Sequence, residues 1–188
     1  PIFLILSGNT SSFITISLKL FFVLCSFSKL SSYICRRIEN NLMIDYNFKY
    51  RSQLQILEEE QDITLPPLHV PESKIAFRYV FSDKPEKNHL PIYLRKPQRA
   101  ISDADKSKLS TSGYALSCFE DEDKAVSRYD ELRSNSPKIK NTLGDALSCG
   151  ILNDSDGLIT DANDDTHFDL YESVSCNLSK TFQIKKSL

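Results

Sequence analysis

The chain has few or no residues of several types, and each of these absences argues against a class of protein. Its 188 residues include no tryptophan, one methionine and five glycines. The glycines stand apart from one another, so no glycine-rich loop that could cradle a phosphate group is present. The cysteines form no CxxC pair, and no segment repeats at a period of about 20 to 50 residues. These absences argue against a P-loop enzyme, a zinc ribbon and a repeat protein.

The single methionine, Met43, marks a change of composition along the chain. Residues 1–42 are rich in serine, leucine, isoleucine and phenylalanine, and their only acidic residue is Glu39. Residues 43–188 have the composition of an ordinary soluble protein. We therefore interpret residues 1–42 as a poorly structured leader outside the domain, with the composition expected of translation upstream of the true start.

Membrane insertion is the alternative for this leader. Its longest apolar run, residues 13–27, contains fifteen residues and includes Lys19, whereas a spanning helix needs about 20 apolar residues. Residues 1–18 lack the basic start of a secretory signal. These observations leave one membrane interpretation open, which is a weak hydrophobic anchor with the Arg36–Arg37 pair on the inner side.

The remainder of the chain is mildly acidic. Residues 1–42 hold four of the 23 basic residues and one of the 25 acidic residues, so residues 43–188 carry 19 bases and 24 acids. Affinity for nucleic acid or anionic lipid needs clustered Lys and Arg that release counterions. The balance of charge therefore argues against a nucleic acid partner, and against a membrane partner unless residues 1–42 act as an anchor.

Three cysteines fall in this part of the chain: Cys118, Cys149 and Cys176. An odd number without CxxC spacing favours reduced thiols over a disulfide framework. We therefore predict a cytoplasmic protein, with membrane anchoring through residues 1–42 as the alternative.

Hydrophobic spacing predicts one α+β domain over residues 43–188, which is a common length for a single core. The economical arrangement is a mostly antiparallel sheet with two or three helices packed on one side. A basic, loop-rich connector at about residues 82–112 precedes the clearest unit, residues 113–188. The predicted strands are residues 44–50, 74–81, 91–94, 113–119 and 167–172, with a hairpin over 151–160, and the predicted helices are residues 51–60, 121–133 and 137–149.

Two of these helices carry predicted caps. Ser117 and Glu120 have the spacing of a capping box before the helix over residues 121–133. Gly150 is predicted to end the helix over residues 137–149.

The outward face of the last predicted strand is the first candidate site. Alternation places His167, Asp169 and Tyr171 on one side of the strand, at steps of about 7 Å. If Ser117 or Cys118 lies on a neighbouring strand, an imidazole oriented by Asp169 could activate its side chain as a nucleophile. The competing interpretation is a solvated polar face, because side chains two apart on a strand are poorly placed for a His–Asp hydrogen bond, and no G-x-S-x-G turn exposes the serine.

An acidic segment is the second candidate. Neither lysine nor arginine occurs between Lys140 and Lys180, and clustered carboxylates repel one another unless solvent or a cation separates them. Asp154, Asp156 and Asp161 are therefore the candidate ligands of a calcium loop, whose pattern they match only in part. Leu152 and Asn163 occupy the first and twelfth positions of that loop, so the ligand set is incomplete and an Asp-Gly turn without metal explains the pattern.

The third candidate is the basic connector. Bases beside an aromatic ring can grip a phosphate backbone and stack a nucleotide, and here Tyr93 lies among Lys84, Lys87, Arg95, Lys96 and Arg99. Three prolines in the same stretch instead indicate a solvated connector. A further interpretation is that the positive charge of this stretch attracts the acidic segment of the same chain.

Two classes of function follow from these residues. The first is a noncatalytic protein- or ligand-binding module, a small soluble protein of bacterial type. The second is an enzyme, a hydrolase or transferase, with a cleft between residues 43–100 and 113–188 that uses Ser117, His167, Asp169 and Tyr171. No cofactor is predicted. A structure distinguishes the two classes, because an enzyme should gather these side chains around one pocket.

Overall fold

The computed structural model describes residues 47–101 and 109–188, and it confirms an α+β fold built on an antiparallel sheet. The six strands of the described part are β1 (Lys74–Val80), β2 (Leu116–Phe119), β3 (Ala146–Leu152), β4 (Gly157–Ile159), β5 (His167–Glu172) and β6 (Gln183–Ser187). The helices there are α1 (Arg51–Gln61), α2 (Ile92–Arg95), α3 (Gln98–Ile101), α4 (Glu122–Asn135), α5 (Lys140–Leu143) and α6 (Leu178–Thr181). The predicted leader, residues 1–42, lies outside the described residues.

The sheet is strongly curled. Its strands are hydrogen-bonded in the order β4-β5-β2-β1-β3-β6, so three strands separate β3 from β4. A flat sheet would hold those two strands about 19 Å apart, which is four strand spacings. A turn joins them, in which the Asp156 N–H donates to the Asn153 carbonyl at 2.9 Å, and a chain this short spans at most about 15 Å. The sheet must therefore bend β4 back toward β3.

The main core cluster is consistent with this curl. Alternate residues of β1 to β5 meet in one cluster together with side chains that follow β5. Its buried members are Ala76, Leu116, Cys118, Leu152, Ile159, Phe168, Leu170, Cys176, Leu178 and Phe182. Each buried methylene contributes about 0.8 kcal/mol, so this enclosed cluster is the principal source of stability.

The other face of the sheet is covered by α4. Ala125 of this helix packs on Phe77, Phe119 and Leu147, and Tyr79 borders the cluster. The helix begins at Asp121, whose Oδ1 accepts from the Lys124 N–H at 2.8 Å. The predicted helix over residues 121–133 is therefore present.

The Tyr129 hydroxyl ties α4 to the loop before β3, since it donates to the Gly144 carbonyl at 2.7 Å in a buried position. We expect Tyr129→Phe to lower the free energy of unfolding by about 1–2 kcal/mol, because the change removes a buried hydrogen bond. Urea titration measures this. Tyr79→Phe is the matched control: Tyr79 donates to the Ala125 carbonyl at 2.6 Å, which also accepts a hydrogen bond inside α4. Equal losses in the two variants would contradict the expectation.

The predicted helix over residues 137–149 is wrong. A single helical turn, α5, ends at Gly144, whose φ of +109° suits glycine. Residues 146–152 then form β3, which pairs with β1 over seven registered positions, and Gly150 lies opposite Ala76 instead of capping a helix. Because β3 is buried on both faces over most of its length, its apolar residues imitate helical spacing.

The predicted hairpin over residues 151–160 is also wrong in its pairing. The Asp-Gly turn forms, but β4 pairs with β5 and not with β3. Local turn chemistry could not show this, because three other strands lie between the two segments that the turn connects.

Shorter elements differ from expectation as well. Residues 91–94 were expected to form a strand, and instead α2 begins after Pro91, whose φ of −55° suits a helix start. The predicted strand over 113–119 is shortened to β2, because residues 111–114 form a 3-10 turn. Asp121, and not Ser117, caps α4.

Of the predicted first strand, residues 44–46 lie outside the described residues, and residues 47–50 do not form a strand. Within them, Phe48 forms one isolated antiparallel bridge with Ser173, and the chain then turns into α1. The predicted helix over residues 51–60 is confirmed by α1, and β1 and β5 confirm the strands predicted near residues 74–81 and 167–172.

Candidate functional site

Three of the four residues of the predicted catalytic group share one face of the sheet. Ser117 of β2 lies directly opposite Asp169 of β5, and His167 lies opposite Phe119 in the neighbouring pair. Side chains directly opposite on antiparallel strands have Cβ atoms about 4.5–5.5 Å apart. The long-range pairing that would bring the serine to this strand is therefore present.

Tyr171 has a different environment. Only 2% of this residue is exposed, and its hydroxyl is 2.9 Å from the Thr111 hydroxyl. Burial raises the pKa of the Tyr171 phenol. The residue packs edge to face on Phe48 and acts as part of the core beneath the 3-10 turn.

Among the other three residues, Asp169 lies next to both Ser117 and His167. Ser117 and Asp169 are cross-strand partners, and the His167 Nε2 is 3.9 Å from Asp169 Oδ1. The imidazole packs on the Phe119 ring, with centroids 5.3 Å apart. A nucleophilic serine needs the base itself within hydrogen-bonding reach. In this arrangement the carboxylate, and not the histidine, is the partner of Ser117.

Asp169 has a perturbed protonation equilibrium. Burial raises the pKa of its carboxyl, and the charge of His167, the neighbouring Ser117 hydroxyl and the charge of Arg78 act in the opposite direction. A partly buried carboxyl with named charge partners beside a pocket is a frequent mark of a functional site.

Ser117 lines a hollow of about 410 Å³ on this side of the sheet. The wall comes from two separate parts of the chain, one around α2 and α3 and one from the 3-10 turn to β2. The lining residues are Ile92, Tyr93, Arg99, Ser110, Ser112, Gly113 and Ser117. The hollow therefore lies between residues 92–99 and residues 110–117.

Tyr93 and Gly113 shape this pocket together. A Cβ atom at Gly113 would overlap the Tyr93 ring, so glycine allows the ring to lie directly against the backbone. The Tyr93 hydroxyl accepts from the Ser110 N–H at 3.2 Å. The ring is buried and also packs edge to face on Tyr114, with centroids 5.1 Å apart.

The serine hydroxyls are held by the 3-10 turn over Thr111–Tyr114. Ser110 caps this turn, because its Oγ accepts from the Ser112 N–H at 3.1 Å. The hydroxyls of Ser110 and Ser112 lie 2.8 Å apart. Two polar groups are thus fixed on the pocket wall.

Three arginines lie near the pocket and close enough to influence one another. Arg78 is only 7% exposed, and its Nη1 donates to the Ser117 carbonyl at 2.6 Å. The Arg95 Nη1 donates to the Thr142 carbonyl at 2.9 Å. Arg99 lines the pocket itself.

These guanidinium groups act on one another. The pKa of Arg95 is lowered, first by burial and then by the charges of Arg78 and Arg99. The Nε atoms of Arg78 and Arg95 are buried and have no hydrogen-bond partner among the described residues. The region next to the pocket therefore contains several positive charges and buried N–H groups that donate no hydrogen bond to the described residues.

Sequence analysis named part of this site. Tyr93, Arg95 and Arg99 belong to the basic connector, but Arg78, Ser110 and Ser112 were not singled out. An arginine between Phe77 and Tyr79 in an otherwise apolar strand is the pattern that could have indicated Arg78, since charged residues are seldom buried without a partner.

The carboxylates of the predicted calcium site have separate partners. Asp154 Oδ1 accepts from the Glu72 N–H at 3.0 Å, and Asp156 Oδ2 accepts from the Asn153 N–H at 2.8 Å. Asp161 Oδ1 is 3.1 Å from His69 Nε2. Across residues 47–101 and 109–188, no three His, Cys, Asp or Glu side chains are grouped so that they could hold a metal ion. Calcium binding stays a prediction from sequence.

No protein-family model, curated protein or solved structure matches this chain. The helices of the described residues are all too short or too polar to cross a bilayer.

Proposed function

We propose that the protein is a noncatalytic binding module whose pocket at Ser117 takes a small oxyanion, the phosphate or carboxylate group of a soluble ligand. The observation that carries the proposal is the set of guanidinium groups at Arg78, Arg95 and Arg99. Burial lowers the pKa of Arg95, and the charges of Arg78 and Arg99 lower it further, so an anion placed near these groups would relieve the repulsion.

The polar groups of the pocket wall suit the same ligand. Arginine presents several N–H donors in a planar fork that matches carboxylate and phosphate oxygens. Arg99, Ser110 and Ser112 face the hollow, and serine hydroxyls add donors at short range. The buried ring of Tyr93 forms the apolar side of the pocket, as expected for a ligand that is only partly charged.

Catalysis by Ser117, His167, Asp169 and Tyr171 has less support as the alternative. Asp169 separates the serine from the imidazole, so the histidine is poorly placed to activate the hydroxyl. Tyr171 is buried against Thr111 and does not line the pocket. The geometry fits recognition better than acyl or group transfer.

The proposed module is cytoplasmic. Cys118, Cys149 and Cys176 are free thiols, and two of them are buried. Burial raises the pKa of the Cys118 thiol to about 11, which keeps it protonated and unreactive. Such thiols are compatible with a reducing compartment.

Removal of one guanidinium tests the proposal. We expect Arg99→Ala to weaken binding of inorganic phosphate and of succinate at least about tenfold, since hydrogen bonds to charged groups contribute about 1.5–3 kcal/mol. Isothermal titration calorimetry at fixed ionic strength measures the affinities. Arg133→Ala is the matched control, because Arg133 is exposed on α4 and pairs there with Asp130 at 2.9 Å.

The control separates a site from general charge. Both variants lose one positive charge, so a nonspecific effect would weaken them equally. Equal affinities for the two variants, or no binding of either anion by the wild-type protein, would overturn the proposed function.

A further inference from the structure

The two edges of the sheet differ. At the β4 edge, the His69 N–H donates to the Ile159 carbonyl at 2.9 Å, and the Ile159 N–H donates to the His69 carbonyl at 2.8 Å, so the chain around His69 covers part of that edge. At the other edge, β6 pairs with β3 alone. Across residues 47–101 and 109–188, no strand lies along the outer side of β6. Such an edge presents a row of unpaired N–H and C=O groups.

A mostly apolar hollow lies beside β6. Its volume is about 450 Å³, and its lining includes Ile75, Cys149, Ile151, Thr181 and Gln183. Ile75 and Ile151 are directly opposite in the ladder between β1 and β3, and they are 53% and 51% exposed. Alternation places Ile75 on the strand face of Phe77, where Ala125 of α4 packs, but α4 leaves the two isoleucines uncovered.

A bulge places two lysines on the same face as this hollow. The register between β3 and β6 shifts once, and β6 contributes the extra residue. Lys186 lies opposite Leu147, which belongs to the cluster under α4. The Lys185 Nζ is 5.3 Å from the centroid of the Phe77 ring in that cluster. Lys185 pairs with Glu122, whereas Lys186 forms no ion pair among the described residues.

The charge of β6 discriminates between possible partner strands. Lysines and a bulge on an edge strand discourage pairing with another strand. Two copies of β6 paired with each other would bring their lysines together, and like charges across paired strands are destabilising. A strand with carboxylates at these positions would be attracted by the same lysines. The edge therefore disfavours a second copy of this chain and favours an acidic strand.

We propose that β6 is a docking site for an extended acidic segment of a partner protein, which adds to the sheet as a further strand. Backbone groups of the segment pair with the outer edge of β6, and pockets for alternate side chains give specificity. One apolar side chain of the segment fills the hollow at Ile75 and Ile151, and carboxylates further along the same face meet Lys186. The hollow shares no lining residue with the pocket at Ser117, so the inference is independent of the proposed anion site.

Short peptides with blocked ends test the docking. In Thr-Leu-Thr-Glu-Thr-Glu-Thr, the leucine and both glutamates share one face of a strand, and the reversed sequence covers the opposite strand direction. We expect one of the two to bind the full chain at least about tenfold more tightly than its counterpart with lysine in place of glutamate, because juxtaposed like charges are costly. Fluorescence polarisation of labelled peptides at fixed ionic strength measures the affinities.

Backbone methylation separates strand addition from charge attraction. Alternate backbone N–H groups of a paired strand point to opposite edges. Methylation of one alternate set of peptide nitrogens should therefore abolish binding, and methylation of the other set should leave it nearly unchanged. The side chains and charges are the same in both peptides.

Substitutions in the protein locate the surface. Lys186→Glu should reverse the preference, so that the lysine peptide binds more tightly than the glutamate peptide. Arg133→Glu is the matched control for charge, because Arg133 lies about 16 Å along α4 from Glu122. Ile151→Thr should weaken the glutamate peptide, whereas Ile56→Thr changes an isoleucine of equal exposure on α1 and should not.

Failure of any of these expectations is informative. Absence of binding by both glutamate peptides, or equal effects of the two methylated sets, would overturn the docking site. A preference for the glutamate peptide that survives Lys186→Glu would overturn the role of β6 in choosing an acidic partner. A dimer in sedimentation velocity that dissociates in Ile151→Lys would assign the edge to a second copy and overturn the proposal.

Discussion

Replacing Lys49 with methionine should cost about 3 kcal/mol of unfolding free energy, because it leaves the Glu172 carboxylate buried without its nearest cation. The Glu172 side chain is 1% exposed, and its Oε1 lies 3.0 Å from the Lys49 Nζ. Its other oxygen, Oε2, has no hydrogen-bond partner among the described residues. Removing one partner of a buried pair exposes the full desolvation cost of the other.

The loss of unfolding free energy in Lys49→Met should become smaller as the pH falls. Burial raises the pKa of Glu172 even in the wild-type protein, and Lys49 and Arg78 oppose that rise. A carboxyl whose folded pKa is raised lowers stability progressively as the pH rises from its unfolded pKa to its folded pKa, and the full loss is present above the folded pKa. Without Lys49 the carboxyl protonates at higher pH, so the loss measured at about pH 7 should be larger than at about pH 5.

Urea titration of two further variants checks this account. The double change Lys49→Met and Glu172→Gln should recover most of the loss, because no buried charge is left. Lys84→Met is the matched control, since Lys84 pairs with Asp83 at the surface, 3.0 Å away, and should change stability little. A loss that is the same at both pH values would contradict the role of the Glu172 charge.

His89 should make the protein acid-sensitive by an amount on the order of 3 kcal/mol. Burial and the charges of Arg78 and Lys49 lower the pKa of its imidazole to about 4. The ring packs edge to face on Phe182, with centroids 5.6 Å apart, and its Nδ1 is buried without a partner among the described residues. The folded protein therefore holds this histidine in its neutral form.

The direction of this effect follows from proton uptake. An unfolded histidine titrates near its ordinary pKa of about 6.5, so between that value and about 4 the unfolded chain binds a proton that the folded chain does not. Stability from His89 is complete above about pH 6.5 and is lost as the pH falls toward 4. The window lies where many surface carboxylates are still ionised.

Comparison with a variant isolates this group from the carboxylates. The free energy of unfolding of His89→Leu should fall less than that of the wild-type protein between about pH 7 and pH 4.5, because the variant has no imidazole to protonate at this site. His69→Leu replaces an exposed histidine that pairs with Asp161 and controls for loss of the ring. Parallel pH profiles for wild type and His89→Leu would sink the expectation.

Part of the candidate site could be predicted because its pattern is local. Alternation along β5 places His167 and Asp169 on one face, and the structure confirms that shared face. The partner strand could not be derived in the same way, since Ser117 lies about fifty residues earlier and its register is set by the hydrophobic face of β2. That register places Ser117 beside Asp169, which in turn lies beside His167.

The interactions of Arg78 could not be predicted from the sequence pattern. Its position in β1 is plain from the sequence, but its hydrogen bond to the Ser117 carbonyl and its charge interactions with Asp169 and Arg95 involve three other parts of the chain. Only the closure of β1 against β2 brings them to one guanidinium group. The positive charge behind the pocket is therefore a property of the tertiary structure.

The sequence by itself determined the α+β class and the elements whose signals are local: α1, the capped helix α4, and strands β1 and β5. Helical and alternating periods are short-range consequences of backbone geometry, so they can be read without knowing the fold. Strand order, the curl that brings β4 back toward β3, and the nature of β3 were decided only by the tertiary structure. A strand buried on both faces has no polar alternation to mark it, and its partners are chosen by the packing of the whole core.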